Sequence, residues 1–314
     1  MKVIVQIPCY NEEETLPLVI KSIPKEIQGI DEVEVLVIDD GSADRTIEVA
    51  KGLGVDHILV HRTNKGLAKT FEDGINYALA QGADIIVNTD GDNQYPQSEI
   101  PRLIRPILDG EADIVVADRQ TSKISHFSIT KKILQQIGSA TVRFIAKTKV
   151  PDAPSGFRAY SREAALHLNI VTEFSYVIET IVQARKKGFK IASIPVHTNP
   201  RTRDSRLFKS NWEHVKKSAA TLIRVYTVYE PFKVFFYLGL IILGSGLVLG
   251  MRFLYFYFLS PGNGAGHIQS LILAAILLMI GFQVWVLGII ADLIGINRRL
   301  IEKVLHKNKD NNFS

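Results

Sequence analysis

From Val234 onward the chain changes character, and that change constrains its fold more than any other feature. Val234–Met251 is about as long as a helix must be to cross the hydrocarbon core of a bilayer, and it continues through aromatics to Phe258. Ile268–Ile296 is a second such run, with only Gln269, Gln283 and Asp292 as strongly polar residues. Segments this long and apolar close their backbone hydrogen bonds internally, as helices. The loop Ser260–His267 between them holds no Lys or Arg, whereas Lys233 precedes the first run and Arg298, Arg299, Lys303, Lys307 and Lys309 follow the second. The positive-inside rule then places both outer ends, and everything before Pro231, in the cytoplasm, with the plasma membrane as the expected location. Arg252 is expected to snorkel to the far interface. Asp292, near the cytoplasmic end of its helix, is given an interfacial role.

Composition enters where a partner must be chosen. A net charge of +5 over 314 residues would suit nucleic acid or an anionic membrane. The basic residues gather at Arg201–Arg206, Lys216–Lys217 and Arg298–Lys309, beside the apolar segments, and no aromatic-and-basic nucleic-acid motif is present. The bilayer is therefore the expected partner and nucleic acid is not. Before the first span, Leu207, Phe208, Trp212, Val215, Ala219, Leu222, Ile223 and Tyr226 form an apolar stripe, with Lys209, Lys216, Lys217 and Arg224 largely elsewhere. That pattern predicts a helix over Leu207–Tyr229 lying in the interface plane. The single Cys9 excludes an intramolecular disulfide and reads as a small buried hydrophobe. The strand-like start KVIVQIP leaves no room for a cleavable signal peptide.

The first two-thirds alternate short β-branched runs with helical stretches. Strands are expected at Val3–Ile7, Val33–Ile38, Ile58–Val60, Asp84–Val87 and Asp113–Ala117. Helices are expected at about Glu12–Ile23, from a cap at Ser42 or Asp44 to Lys51, after Asn64-Lys65-Gly66 to Gln81, and over Gln97–Leu108. Such alternation predicts an α/β domain, Rossmann-like, with a mostly parallel sheet covered on both faces. The expected division is an α/β domain at 1–204, an interfacial region at 205–231, two transmembrane helices at 232–297 and a basic tail at 298–314. In the tail, Leu300, Ile301, Val304 and Leu305 give Asn297–His306 an apolar side that could join protomers in a homo-oligomer or lie on the membrane.

Ligands of such sheets bind beyond the C-terminal ends of the strands. Three polar clusters fall there: Pro8–Glu12, Asp39–Ser42 and Asp90–Gln94. Asp90 and Asp92, separated by Gly91 and followed by the amide of Gln94, form a hard-oxygen set suited to Mg²⁺ or Mn²⁺. No G-x-G-x-x-G follows the first strand and no P-loop motif occurs, which argues against dinucleotide dehydrogenases and P-loop NTPases.

Pro8-Cys-Tyr-Asn-Glu-Glu, Asp39-Asp-Gly-Ser with Asp44 and Thr46, Asn64-Lys-Gly, Asp90-Gly-Asp-Asn-Gln and Ser155-Gly-Phe-Arg occur in this order over about Lys2–Thr198. In that combination the chain resembles family 2 glycosyltransferases of the GT-A fold, and among them the dolichyl-phosphate mannose synthase-like enzymes, which join a GT-A domain to C-terminal membrane helices. The resemblance implies that Pro8, Tyr10, Asn11, Glu12, Asp39, Asp40, Asp90 and Gly91 hold the nucleotide. It implies a divalent ion at Asp90, Asp92 and Gln94, and a sugar and acceptor pocket shaped by Ser155, Gly156 and Phe157 with Asp152 before them. It also implies an inverting transfer.

The implied chemistry is displacement at the anomeric carbon of a UDP- or GDP-sugar, with Asp92, Asp152 and Arg119 as the expected catalytic residues. A polyprenyl phosphate (undecaprenyl or dolichyl) is already an anion near neutral pH, since a monoester's second pKa is about 6, and needs no strong base. A hydroxyl acceptor such as diacylglycerol would need one, for which Asp152 or Glu179 is the candidate. A lipid phosphate instead needs cations near the membrane, which Arg119, Lys132, Arg201, Arg203 and Arg206, with Ser205, are placed in sequence to supply. The resembled group commonly has arginine at the first two of these places; here Lys131 or Lys132 stands at the second. A processive polysaccharide synthase would carry Q-x-x-R-W, and neither Trp212 nor Trp285 sits in that motif. A non-catalytic scaffold that keeps the fold remains the alternative from another class, against which the intact Asp90, Asp92 and Gln94 argue.

Overall fold

The structure, a computed structural model, describes residues 1–120, 139–140, 142–143, 148–170, 176–200, 220, 223, 226–227, 230–259 and 268–313, without the side chains of 299 and 302–313. Two compact units divide it: Met1–Leu222 with His306–Ser314, and Ile223–Leu305.

The first unit is built on a seven-stranded sheet: β1 Lys2–Cys9, β2 Glu32–Asp39, β3 His57–Val60, β4 Ile85–Asn88, β5 Ile114–Asp118, β6 Arg158–Ser161 and β7 Ile191–Pro195. Their order is β3-β2-β1-β4-β6-β5-β7. Val3–Cys9 of β1 are all buried, which fits a central strand covered on both faces. Side chains such as Val3, Val5 and Ile7, fully buried, each contribute about 1.5–3 kcal/mol. Pairing is parallel except at β6, which runs antiparallel between β4 and β5. The sheet is therefore mostly parallel, as expected, but two strands were not foreseen. β6 and β7 are short, and β6 owes its place to partners about seventy positions away in β4, which no local pattern records.

The helices are α1 Leu16–Ser22, α2 Thr46–Gly52, α3 Leu67–Ala80, α4 Ile100–Leu108, α5 Arg162–Leu166 and α6 Tyr176–Lys186. The first begins later than the expected Glu12, because the stretch before it belongs to a loop network described below. Pro17 sits in its first turn, where a missing N–H costs nothing. Asp44 supports the start of α2 as expected, its Oδ1 accepting from the Thr46 N–H at 3.0 Å. Gln97–Glu99 form a 3₁₀ turn ahead of α4 rather than part of it.

The second unit contains α7 Pro231–Leu259 and, up to Leu305, the long α8 Ile268–Phe313. Both are long and apolar enough to cross a membrane, α8 over Ile268–Arg298. They pack through small residues spaced by seven. A Cβ on Gly239 would lie 2.3 Å from Trp285 Cδ1, and one on Gly246 would lie 3.1 Å from Ala274 O. From the other side, a Cβ on Gly281 would lie 2.6 Å from Leu243 Cγ, and one on Gly288 2.8 Å from Phe235 Cβ. Bare backbone on each helix thus receives the large side chains of the other, the close approach that small residues permit in membranes. Trp285 Nε1 also donates to the Phe236 carbonyl at 3.0 Å. The expected tail helix is not separate; α8 runs through it unbroken. The expected helix Leu207–Tyr229 lies outside the described residues, apart from isolated positions.

Candidate functional site

β1 and β4 lie side by side while the chain builds outward from them in opposite directions, which makes their C-terminal ends the switch point of the sheet. The loops that leave this rim are joined by directional bonds. The Asn11 N–H donates to Ser42 Oγ at 2.8 Å, the Ala43 N–H to Asn11 Oδ1 at 2.8 Å, and the Glu12 N–H to Thr46 Oγ1 at 2.8 Å. The clusters after β1 and β2 are thereby one surface. Gly91, after β4, closes against it: a Cβ there would stand 3.2 Å from both Cys9 Sγ and Glu12 Cγ. All three expected clusters meet.

Because β6 is antiparallel, the loop that enters it arrives at this same rim. Gly156 lies directly over Asp90, and a Cβ on it would be 3.1 Å from both carboxylate oxygens. Its carbonyl accepts from Asn88 Nδ2 at 2.8 Å, and its N–H donates to the Tyr95 hydroxyl at 3.2 Å. Asn88 Nδ2 also reaches the Tyr176 hydroxyl at 3.0 Å. Burial pushes the Tyr95 phenol up to about 12 and the Tyr176 phenol well above its ordinary value, so both stay protonated. The same loop is anchored by Arg158, fully buried, which donates to the carbonyls of Ser155, Ala153 and Val177 and to Thr180 Oγ1.

Asp90, Asp92 and Gln94 are all partly exposed on the loop after β4. Asp92 Oδ1 accepts from the Gln94 N–H at 3.0 Å across Asn93, whose φ is 59°. Among the described residues, the non-glycine positions with left-handed backbone are Asn11, Asn93 and Gln120, which follow β1, β4 and β5. Strain of this kind, of order 1–3 kcal/mol each, gathers at functional rims. Asn199, after β7, holds the Asn93 turn: its N–H donates to Gln94 O at 2.9 Å and its Nδ2 to Asn93 O at 3.0 Å. Two carboxylates and an amide on one short loop are a fitting hard-oxygen donor set for Mg²⁺ or Mn²⁺ completed by phosphate and water. Among the described residues, no three His, Cys, Asp or Glu side chains form a complete cage.

Asp39 and Asp40 differ sharply. Asp39 is fully buried, with Oδ2 accepting from the Ser42 N–H at 3.1 Å and Oδ1 without a hydrogen-bond partner. Asp40 is saturated: it accepts from the N–H groups of Lys65 and Gly66 at 2.8 and 2.9 Å and lies 2.8 Å from His61 Nδ1. His61 Nε2 is 3.2 Å from Asp73 Oδ2, close enough for ion pairing though not aligned as a hydrogen bond. Asp40 thus fixes the Asn64-Lys65-Gly66 turn. Tyr10 is 43% exposed and Pro8 is buried in β1. Cys9 is buried, and burial with the nearby Glu12 and Asp39 charges keeps its thiol neutral, as expected of a small hydrophobe.

Asp152 does not stand free as a base. It is 2% exposed, and Arg119 Nε and Nη2 donate to its two oxygens at 2.6 and 2.9 Å. Burial alone would lower the guanidinium's pKa, but the Asp152 charge and hydrogen bonds, with Tyr95 and Asp90 beside them, together outweigh it and hold Arg119 above its ordinary value. Arg119 Nη1 has no hydrogen-bond partner among the described residues. Glu179 is buried in α6 and accepts from Gln183 Nε2 at 3.2 Å. Ser155 is buried, its Oγ without a partner. Lys132, Arg201, Arg203, Ser205 and Arg206 lie outside the described residues. A groove of about 520 Å³ opens behind the loop, between Leu18, Asn93, Ser98 and Asn199, and touches none of the expected site residues. Sequence reading missed Tyr95, Asn88, His61 and Asn199. Each acts through a contact distant in sequence; only the Asn199-Pro200 turn signal pointed to any of them.

Comparison with known proteins agrees with this geometry. Residues 4–168 match the model of glycosyl transferase family 2. The chain is 29% identical over 206 residues to polyprenol monophosphomannose synthase of Mycolicibacterium smegmatis, covering 62% of this chain and 76% of that one. It is 27% identical over 206 residues to undecaprenyl-phosphate mannosyltransferase of Micrococcus luteus, covering 62% and 83%. Glucosyl-3-phosphoglycerate synthase from Mycobacterium tuberculosis, solved with Mn²⁺, UDP-glucose and phosphoglyceric acid, shares the fold with a TM-score of 0.55 at 23% identity, over 72% of this chain and 79% of that one. With the family matched over more than half its length and the sheet of the GT-A type, the chain belongs to glycosyl transferase family 2.

Proposed function

We propose that this enzyme moves a sugar from a UDP- or GDP-linked donor to a polyprenyl phosphate, undecaprenyl or dolichyl, at the cytoplasmic face of the plasma membrane. The observation that carries the reading is one rim where a carboxylate pair, a buried carboxylate with an unpartnered oxygen and an arginine with a spare donor converge, in a chain that also has two apolar helices long enough to cross a membrane. The names of the two mannosyl-transferring relatives support the acceptor class.

In this reading Asp39 Oδ1 accepts an N–H of the base, with the exposed Tyr10 ring and Pro8, Asn11 and Glu12 lining the nucleotide, and Gly91 giving it room. Asp40 works at one remove, by holding the Asn64–Gly66 turn. Asp90, Asp92 and Gln94 hold a divalent ion which, when bound, neutralises charge on the leaving diphosphate. The bond from the anomeric carbon to the diphosphate oxygen breaks with its electron pair on that oxygen. An oxygen of the lipid phosphate forms the new bond on the opposite face, giving inversion. Arg119 turns Nη1 toward acceptor phosphate while Asp152 fixes its orientation, so Asp152 positions a cation rather than taking a proton. That assignment suits an anionic acceptor and weighs against a lipid hydroxyl, which would require a free base. Ser155 and Gly156 shape the acceptor side, and Lys132, Arg201, Arg203, Ser205 and Arg206 are proposed to add polar and cationic contacts there. Domain limits near 204, 231 and 297 complete the proposal.

The test is transfer of radiolabelled sugar from a panel of UDP- and GDP-sugars to undecaprenyl phosphate by detergent-purified protein with Mn²⁺. Acid-labile lipid-linked label from one donor is expected, and Asp92→Asn should reduce it by about 10²–10³-fold without lowering the melting temperature. Transfer to diacylglycerol instead, or undiminished transfer by Asp92→Asn, would overturn the reading.

A further inference from the structure

The helix α8 carries two different seams on opposite sides. One is the small-residue seam Ala274, Gly281, Gly288 that receives α7. Nine residues, or about two and a half turns, beyond each of these stand Gln283, Ile290 and Asn297, half a turn round the helix. Extended backward, this second seam reads Gln269, Ile276, Gln283, Ile290, Asn297, one residue every seven. It is exposed throughout: Ile276 is 47% and Ile290 48% exposed, and the three amides are exposed as well. Ile272, Met279, Ile280, Leu287 and Ile294 flank it, also exposed.

The amides make this face unlike the lipid-facing surface around it. Gln283 lies at the midpoint of the apolar span Ile268–Arg298, where hydrocarbon offers no donor or acceptor. None of Gln269, Gln283 and Asn297 has a hydrogen-bond partner among the described residues. An amide is both donor and acceptor, so it satisfies another amide in the same position. Copies of one chain enter a membrane with the same orientation. A two-fold axis along the membrane normal then sets α8 parallel to its counterpart and brings each seam residue opposite itself. Apolar heptads with occasional polar residues fix both register and partner number in such pairs.

We propose that a second copy of this chain docks on the Gln269–Gln283–Asn297 face of α8, forming a parallel transmembrane dimer. The inference rests on α8 spanning a membrane, so carbonate extraction of the membrane fraction comes first: release of the protein would overturn that premise, and the dimer with it. For retained protein, purified full-length chains in proteoliposomes would carry single cysteines for oxidative cross-linking. Cys9 is buried and should give no background. Gln283→Cys, Ile276→Cys and Ile290→Cys are expected to cross-link to themselves, and Ile289→Cys, a third of a turn away, is not. Gln283→Leu, more apolar and so compatible with insertion, should raise the dimer dissociation constant roughly three- to thirtyfold. A monomer at every protein-to-lipid ratio would overturn the proposal. So would a dimer that cross-links at Ile289→Cys but not Gln283→Cys, or one indifferent to Gln283→Leu.

Discussion

The rim of the sheet and the helical hairpin solve the same problem, holding chain segments in register, by opposite means. At the rim, loops after β1, β2, β4 and β7 and the loop entering β6 are tied by hydrogen bonds from backbone and side-chain amides to hydroxyls, carbonyls and carboxylates, with left-handed backbone at Asn11, Asn93 and Gln120. In the hairpin, shape does nearly everything: glycine surfaces accept Trp285, Leu243 and Phe235, with the bond from Trp285 to the Phe236 carbonyl beside them. Directional bonds can place a carboxylate to a fraction of an ångström, which binding a charged ligand requires. Between helices in lipid, close contact of bare backbone supplies the attraction that water would otherwise drive.

That contrast can be broken at its strongest point on the polar side. Arg158→Met should lower the stability of the full chain in detergent by about 3–5 kcal/mol in chemical denaturation, because four buried acceptors lose their donor. A loss under 1 kcal/mol would mean the loop is held by shape, as the hairpin is. Next is the response to alkali. The folded chain keeps the Tyr95 proton to about pH 12, whereas the unfolded chain releases it near 10. The folded state therefore binds more protons between these values, and stability, fully present below pH 10, falls as pH rises through 12. Wild type should lose about 2–3 kcal/mol more than Tyr95→Phe across that window, as followed by denaturation at each pH.

On the hairpin side, Gly281→Leu should cost about 1–3 kcal/mol in thermal unfolding in detergent, since its Cβ would meet Leu243 at 2.6 Å, with the Leu243 backbone N at 3.0 Å. Gly244→Leu, with nothing within 4 Å, should cost nothing and serves as the control. The finest test concerns indirect positioning at the rim. His61→Gln loosens Asp40 and the turn it holds, and should raise the KM for the nucleotide sugar about tenfold, about 1.4 kcal/mol, with kcat nearly unchanged. An equal fall in kcat would place His61 in the chemistry instead.

Much of this arrangement was legible in the residues. The parallel strands announce themselves as β-branched runs, with Asp39 closing β2 and the Asp90–Gln94 group following β4, at the strand ends where such a sheet binds its ligands. The two helices of membrane-crossing length follow from length and apolarity alone. What could not be read was which polar residues would be spent on one another. Asp152 and Asp40 look as available in sequence as Asp39, yet Arg119 takes the first and three donors take the second. The glycines spaced by seven are likewise plain in the sequence, but only the packing of α7 on α8 gives them work.

The sequence by itself determined the parallel part of the sheet, the clusters on its rim and the pair of helices long and apolar enough to cross a membrane, because local periodicity and composition encode burial directly. Tertiary structure alone decided the insertion of β6 that carries Gly156 over Asp90, the pairing of Arg119 with Asp152 and the saturation of Asp40. Those outcomes depend on contacts between residues tens of positions apart, where the gain from each bond is set by the three-dimensional neighbours and not by the sequence beside it.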